Sequence, residues 1–118
     1  MQKTSLTHLA DNQLAEAREA SSGRSSVTVF GGREHDLRQT LIALAAGRSL
    51  GEHEAPGEAT LQVLMGAVRL TAGEDVWEGS AGDHLVIPHH RHDLHADTDA
   101  AVLLTVATRA SAAGRTVR

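Results

Sequence analysis

Apolar residues recur along the chain in two different patterns, and the first of them predicts a helix. Leu6, Leu9 and Leu14 fall on roughly one side of a helix, and Ser5 is placed to cap its first turn. We therefore expect an amphipathic helix over residues 5–20. Small polar residues and a glycine follow it and favour its end there.

The second pattern predicts β-strands. From residue 24 onward, short apolar runs alternate with Gly, Pro and Asp turn residues at intervals of about ten residues. Val27 and Val29 belong to the first of these runs. No helix long enough to connect parallel strands lies between them, which favours an antiparallel sandwich or barrel. The clearest predicted strands are 38–45, 60–64, 67–71, 76–78, 84–87 and 101–107.

Length and composition favour one globular domain. The chain has 118 residues, of which 41% are hydrophobic and 22% are charged. Phe30 and Trp77 are its aromatic residues, so aliphatic side chains must fill the core, as suits a narrow barrel. The predicted organisation is a helix with a linker over 1–24, a barrel over 25–109 and a flexible tail over 110–118.

The charge balance and the absence of cysteine exclude several classes of function. Eleven basic and fifteen acidic residues give a net charge of -4, which argues against a nucleic-acid partner. With no cysteine, any metal site must use nitrogen and oxygen ligands. No segment has the ~20 apolar residues that a membrane span needs, and the start lacks an apolar leader. We therefore expect a cytoplasmic protein with no membrane partner.

Two segments have an informative spacing of glycine, histidine and proline. The first contains Gly47, His53 and Gly66, and the second contains Gly82 and Pro88. These spacings resemble the two conserved motifs of the cupin superfamily. The resemblance implies an all-β fold, a small antiparallel cupin barrel (double-stranded β-helix, or jelly roll), here with an N-terminal α-helix. It also implies a homodimer formed through edge strands.

The first cupin motif has a His-x-His pair and a glutamate that together bind a metal ion, because residues i and i+2 of a strand share a face. In this chain His53 keeps the first ligand position, but Ala55 replaces the second histidine and Ala59 replaces the glutamate. Glu58 lies one residue short of the glutamate position. It could reach the metal only through a bulge.

The second motif has two alignments. Counting from Pro88 without a gap puts Asp93 at the position of the family's histidine, whereas one deleted loop residue puts His92 there. We favour His92, because Leu94 and Ala96 would then share its inward face. The predicted metal ligands are therefore His53 and His92. The reserve candidates are Glu58 and His90, and after them His35, His84, His89 and His95, with surface or loop roles favoured for His89, His90 and His95.

The sequence supports three functions and does not indicate a substrate. The first is a small-molecule protein that uses a divalent ion (Fe, Mn, Ni, Cu or Zn); if it is an enzyme, the resemblance favours an oxygenase or isomerase. The second is a metal-free binding or sensing module, in which Ala55 and Ala59 enlarge an apolar pocket lined by Leu61, Val63 and Leu94. The third is a structural or regulatory dimer that interacts through the N-terminal helix.

Overall fold

The described part of the chain folds into one helix and eight strands. The structure, a computed structural model, describes residues 1–54 and 57–107; Ala55 and the predicted tail over 110–118 lie outside this part. Helix α1 spans Leu6–Glu19 and is capped by Ser5, whose side chain accepts a backbone N–H of the first turn. The strands are β1 (Arg24–Phe30), β2 (Leu37–Leu44), β3 (Glu58–Met65), β4 (Ala67–Ala72), β5 (Asp75–Ser80), β6 (His84–Val86), β7 (Asp93–Ala96) and β8 (Ala100–Ala107).

The strands form two antiparallel sheets. The larger has the order β1-β2-β8-β3-β6, and the smaller has the order β5-β4-β7. The inner faces of both sheets contribute to one apolar core, so the sheets pack against each other as a jelly-roll barrel. The predicted all-β antiparallel fold with an N-terminal helix is confirmed. The core residues are Leu44, Ala59, Leu61, Val63, Val68, Leu70, Ile87, Leu94, Ala96, Ala100, Val102 and Val106.

Each of the six predicted strands corresponds to an observed strand, with ends that differ by up to two residues. Strand β5 is longer than predicted, because its hairpin with β4 continues from the pair Ala72 and Asp75 to the pair Ala67 and Ser80. The sequence did not predict where strands β1 and β7 begin and end. Strand β7 has only four residues, so its alternation indicates an inward face but not where the strand begins and ends.

The segment 47–53 extends the smaller sheet beyond β7. The backbone N–H of Gly47 donates to the carbonyl of Ala96 at 2.8 Å, and that of Leu50 donates to the carbonyl of Leu94 at 3.1 Å. Isolated antiparallel bridges pair Ser49 with His95 and His53 with His92. This pairing places the segment that contains His53 directly beside the segment that contains His92.

Helix α1 packs on the outer face of the larger sheet. Ala10 is buried against Leu41 and Ala101, and the next turns of the helix bury Leu14 and Ala17 in a second apolar cluster. The helix therefore covers the barrel of its own chain. Within the described residues, no helix has the length and apolar character that crossing a membrane requires.

Candidate functional site

His53 and His92 face each other across two neighbouring chain segments. They form an antiparallel bridge in which each backbone N–H donates to the other residue's carbonyl, at 3.0 and 2.9 Å. Directly opposed residues of such a bridge project to the same side. Their imidazole ring centres are accordingly 4.6 Å apart, with the rings inclined at 62°. The structure thus brings together the two histidines that the sequence selected.

The two rings differ in burial. His92 is 3% exposed, whereas His53 lies at the solvent-exposed edge. Both line a cavity of about 20 Å³. A cavity of this size is near the minimum of ~10–15 Å³ that holds one water molecule. The other residues that line it are Ile42, Leu50, Leu61, Leu70, Ile87, Leu94 and Leu104.

A backbone carbonyl fixes the orientation of each ring. Nδ1 of His53 lies 2.9 Å from the carbonyl oxygen of Gly51, and Nδ1 of His92 lies 2.8 Å from that of His90. A carbonyl oxygen only accepts hydrogen bonds, so each Nδ1 must carry the hydrogen. In the neutral imidazole, Nε2 then has the lone pair and can bind a metal ion or accept a hydrogen bond.

The structure places His92, rather than Asp93, on the inner face. Leu94 and Ala96 are each 2% exposed and follow His92 at alternate positions, so the inward series continues into the core. Asp93 faces the other way, and its carboxylate accepts the backbone N–H of Gly51 at 2.9 Å. Asp93 therefore holds the segment that contains His53 instead of facing the cavity.

The reserve candidates do not join the pair. Glu58 pairs with Ala107 in a regular part of β3, and its buried neighbour Ala59 belongs to the core, so Glu58 is on the opposite face. The side chain of His90 is exposed, although its carbonyl holds the ring of His92. No group of three or more His, Asp or Glu side chains within 1–54 and 57–107 is arranged to hold a metal ion. His35, His84 and His89 are exposed, and His95 is partly buried beside Asp93 on the outer face.

The ring-centre separation of the pair falls in the range of two ligands of one metal ion. Two imidazoles bound to one ion at tetrahedral or octahedral angles have ring centres about 4.5–5.2 Å apart, because Nε2 lies about 2.1 Å from the ion. The observed 4.6 Å falls in this range. The protein would supply two nitrogen ligands, and water or a bound molecule would have to complete the coordination.

The cavity lining agrees only partly with the pocket predicted from sequence. Leu61 and Leu94 line it as expected, whereas Val63 is fully buried in the core and does not. Ile42 and Leu50 were not predicted. Ile42 could have been found from the inward alternation of β2, but Leu50 lies in a segment without a strand signal.

Comparisons with known proteins support the fold. No protein-family model and no curated protein matches the chain. Among solved structures, a conserved protein of unknown function from Streptococcus pyogenes is 27% identical, with a TM-score of 0.67; the match covers 75% of this chain and 77% of that one. A cupin superfamily protein from Desulfitobacterium hafniense DCB-2 is 20% identical, with a TM-score of 0.65, and the match covers 71% and 76% of the two chains.

A larger neighbour is an enzyme. The salicylate 1,2-dioxygenase from Pseudoaminobacter salicylatoxidans, in the form of a mutant in complex with gentisate, is 20% identical, with a TM-score of 0.72. The match covers 92% of this chain but 34% of the dioxygenase, so the chain spans about one third of that protein. The resemblance read from the two glycine, histidine and proline motifs is confirmed at the level of the fold. The chain has the fold of the cupin superfamily.

Proposed function

We propose that His53 and His92 bind one divalent metal ion through their Nε2 atoms and that a small molecule binds beside this site. The observation that carries this proposal is the pair of hydrogen bonds from Nδ1 to the carbonyls of Gly51 and His90. Histidines that bind metals almost always donate their other ring N–H in this way, which fixes the tautomer and the ring orientation.

The expected ion is Fe, Mn, Ni, Cu or Zn, since imidazole nitrogen is a suitable ligand for most of these metals. When bound, the ion would act as a Lewis acid with coordination positions open to water. His92 would anchor it on the core side, and His53 would hold it at the solvent edge. Among reaction classes, oxygenation has the support of a neighbour of the same fold, the salicylate 1,2-dioxygenase.

A second candidate function is metal-free binding of a small molecule. Its support is Ala59, which is buried in the core at the position of the motif's glutamate. Two ligands provide much less affinity for a divalent ion than three or four. A ring-centre separation of 4.6 Å also suits an ordinary edge-to-face contact between two aromatic rings. In this function the two Nε2 atoms would accept hydrogen bonds from the bound molecule.

Metal analysis distinguishes the two functions. Protein made without a histidine tag is stripped with a chelator, titrated with Zn²⁺, Ni²⁺, Mn²⁺ and Fe²⁺, and compared with His53→Ala and His92→Ala. His84→Ala is the matched control, because His84 is an exposed histidine on β6, away from the pair. We expect one ion per chain and a loss of affinity of about tenfold or more in both site variants, with no change in the control.

Two results would contradict the metal proposal. One is the absence of stoichiometric binding by the stripped wild-type protein. The other is an equal effect of His84→Ala and the two site variants, which would indicate adventitious binding by surface histidines. Because His92 is buried, the fold of His92→Ala is checked by circular dichroism. His53 is exposed, so His53→Ala tests the site even if the other variant is unstable.

A further inference from the structure

A groove lies beside the edge strand β1. Its volume is about 350 Å³, and its lining includes Arg24, Ser26, Thr40, Ile42 and Leu50. Pockets that bind small molecules begin at a volume of about 300 Å³. The cavity at the histidine pair, at about 20 Å³, is far too small for such a molecule. The groove therefore offers the space that the histidine cavity lacks.

The groove and the histidine cavity share a wall. Ile42 and Leu50 line both of them, and both side chains are half-buried. Leu50 belongs to the segment that also contains His53, so it lies between the groove and the ring of that histidine. A molecule in the groove would thus be separated from the histidine pair by two aliphatic side chains.

One arginine lines the groove, and a second packs on the residue that precedes it. Arg24 lines it and donates from Nη1 to the carbonyl of Leu50 at 2.9 Å. Arg48 packs over Gly23, the residue before Arg24, so closely that a Cβ on this glycine would lie 2.5 Å from Cγ and 2.7 Å from Nε of Arg48. The lining of the groove thus contains a guanidinium, with a second one close by, on a chain whose net charge is -4.

Within the described part of the chain, neither arginine is neutralised by a carboxylate. The ion pairs among these residues involve Arg18, Arg69, Arg91 and His95, and neither Arg24 nor Arg48 takes part in one. A guanidinium has five N–H donors, so Arg24 can hold the Leu50 carbonyl and still bind an anion. Arginine is well suited to bind carboxylate, because its planar donors match both oxygens.

The rest of the groove separates polar and apolar surface. Ser26 pairs with Ile42 across β1 and β2, and Thr40 lies two residues before Ile42, so these three side chains share one face of the sheet. The hydroxyls lie beside the aliphatic floor formed by Ile42 and Leu50. This distribution suits a molecule with one anionic end and an apolar body.

From these observations we infer that the groove binds a small organic carboxylate, with its charge at Arg24 and Arg48 and its apolar body against Ile42 and Leu50. This inference rests on the proposed function, because it names the class of molecule that would be bound beside the histidine pair. Leu50 and Ile42 form the barrier between that molecule and Nε2 of His53.

The test uses benzoate as the probe and benzamide as its neutral counterpart of the same shape. Binding to the full chain, without metal, is followed by NMR of the methyl groups of Ile42 and Leu50, which the ring current of the probe shifts. We expect saturable shifts with benzoate. Benzamide should bind at least about tenfold more weakly, because hydrogen bonds to a charged group are lost. Inorganic phosphate tests whether an anion without an apolar body is sufficient.

The variants Arg24→Gln and Arg48→Gln should each weaken benzoate binding about tenfold. Arg33→Gln removes the same charge from an exposed turn outside the groove and should leave the affinity within about twofold. Because Arg24→Gln also removes the hydrogen bond to Leu50, Arg48→Gln is the cleaner variant. Equal effects of Arg33→Gln and Arg48→Gln would overturn the inference.

Equal affinities for benzoate and benzamide would overturn the assignment of a carboxylate, and phosphate binding as tight as benzoate binding would overturn that of an apolar body. The result is independent of metal binding. Benzoate binding by a chain that binds no metal would support the groove and refute the metal proposal. Metal binding without benzoate binding would support the metal proposal and refute the assignment of the groove.

Discussion

Replacement of Gly66 by alanine tests the connection that carries the chain from the larger sheet to the smaller one. Gly66 lies between β3 and β4 and has a φ of 78°. A Cβ at this position would lie 2.1 Å from the carbonyl oxygen of Asp99, 2.8 Å from Oγ1 of Thr98 and 3.0 Å from Cα of Ala100. Because two of these three neighbours are backbone atoms, they cannot rotate away, and the turn before β8 would have to move.

The expected loss has two parts. A left-handed conformation costs alanine about 1–2 kcal/mol, and forcing a methyl group into occupied space costs about 1–3 kcal/mol. Restricting the unfolded chain offsets about 0.4–1 kcal/mol of this. We therefore expect Gly66→Ala to lower the free energy of unfolding by about 2–4 kcal/mol, a large part of the ~5–15 kcal/mol of a typical domain.

Gly73→Ala is the matched control. Gly73 lies in the β4–β5 turn with a φ of 61°, but a Cβ there would have no atom within 4 Å. Only the backbone cost applies, so this variant should lose about 1 kcal/mol. Urea unfolding followed by circular dichroism measures both, and a loss of about 3 kcal/mol should move the midpoint by roughly 2 M for an m-value of about 1.5 kcal/mol/M. Equal losses in the two variants would refute the close contact at Gly66.

Two further predictions concern carboxylates. Asp99 accepts the backbone N–H of Ala46 and the side-chain N–H of Arg18, both at 2.8 Å, and these hydrogen bonds lower its pKa. Its contribution to stability is therefore complete above the unfolded-state pKa of about 3.9 and is lost as the pH falls through the folded-state pKa. Asp99→Asn should make the free energy of unfolding depend less steeply on pH in the acid range. An unchanged dependence on pH would contradict this. Asp93→Ala removes the acceptor for the Gly51 N–H and should weaken metal binding about tenfold. Asp93→Asn keeps an acceptor oxygen and should retain most of the metal affinity. Equal losses of affinity in titration calorimetry would argue against a positioning role for Asp93.

The elements were predictable from sequence because their signals are local. Ser5 caps the helix as expected, and the helix runs over Leu6–Glu19 instead of 5–20. The predicted strands agree with the structure to within about two residues, since alternation and turn residues specify both face and ends. The same alternation placed His92, rather than Asp93, on the face of Leu94 and Ala96.

The site was predictable only in part. The spacing of the motifs selected His53 and His92, but not the carbonyls of Gly51 and His90 that orient the two rings. A hydrogen bond from a side chain to a carbonyl two residues earlier depends on the backbone path of the loop. No pattern of residue types specifies that path.

By itself, the sequence determined the helix, the six clearest antiparallel strands and the inward face of His92, Leu94 and Ala96, because these depend on periodicity and turns within a few residues. Only the tertiary structure decided that Arg48 packs on the residue before Arg24, that Leu50 lines both the groove and the histidine cavity, and that this cavity is small. These features depend on contacts between segments far apart in the chain. Their geometry is set by how the two sheets pack, which local patterns do not encode.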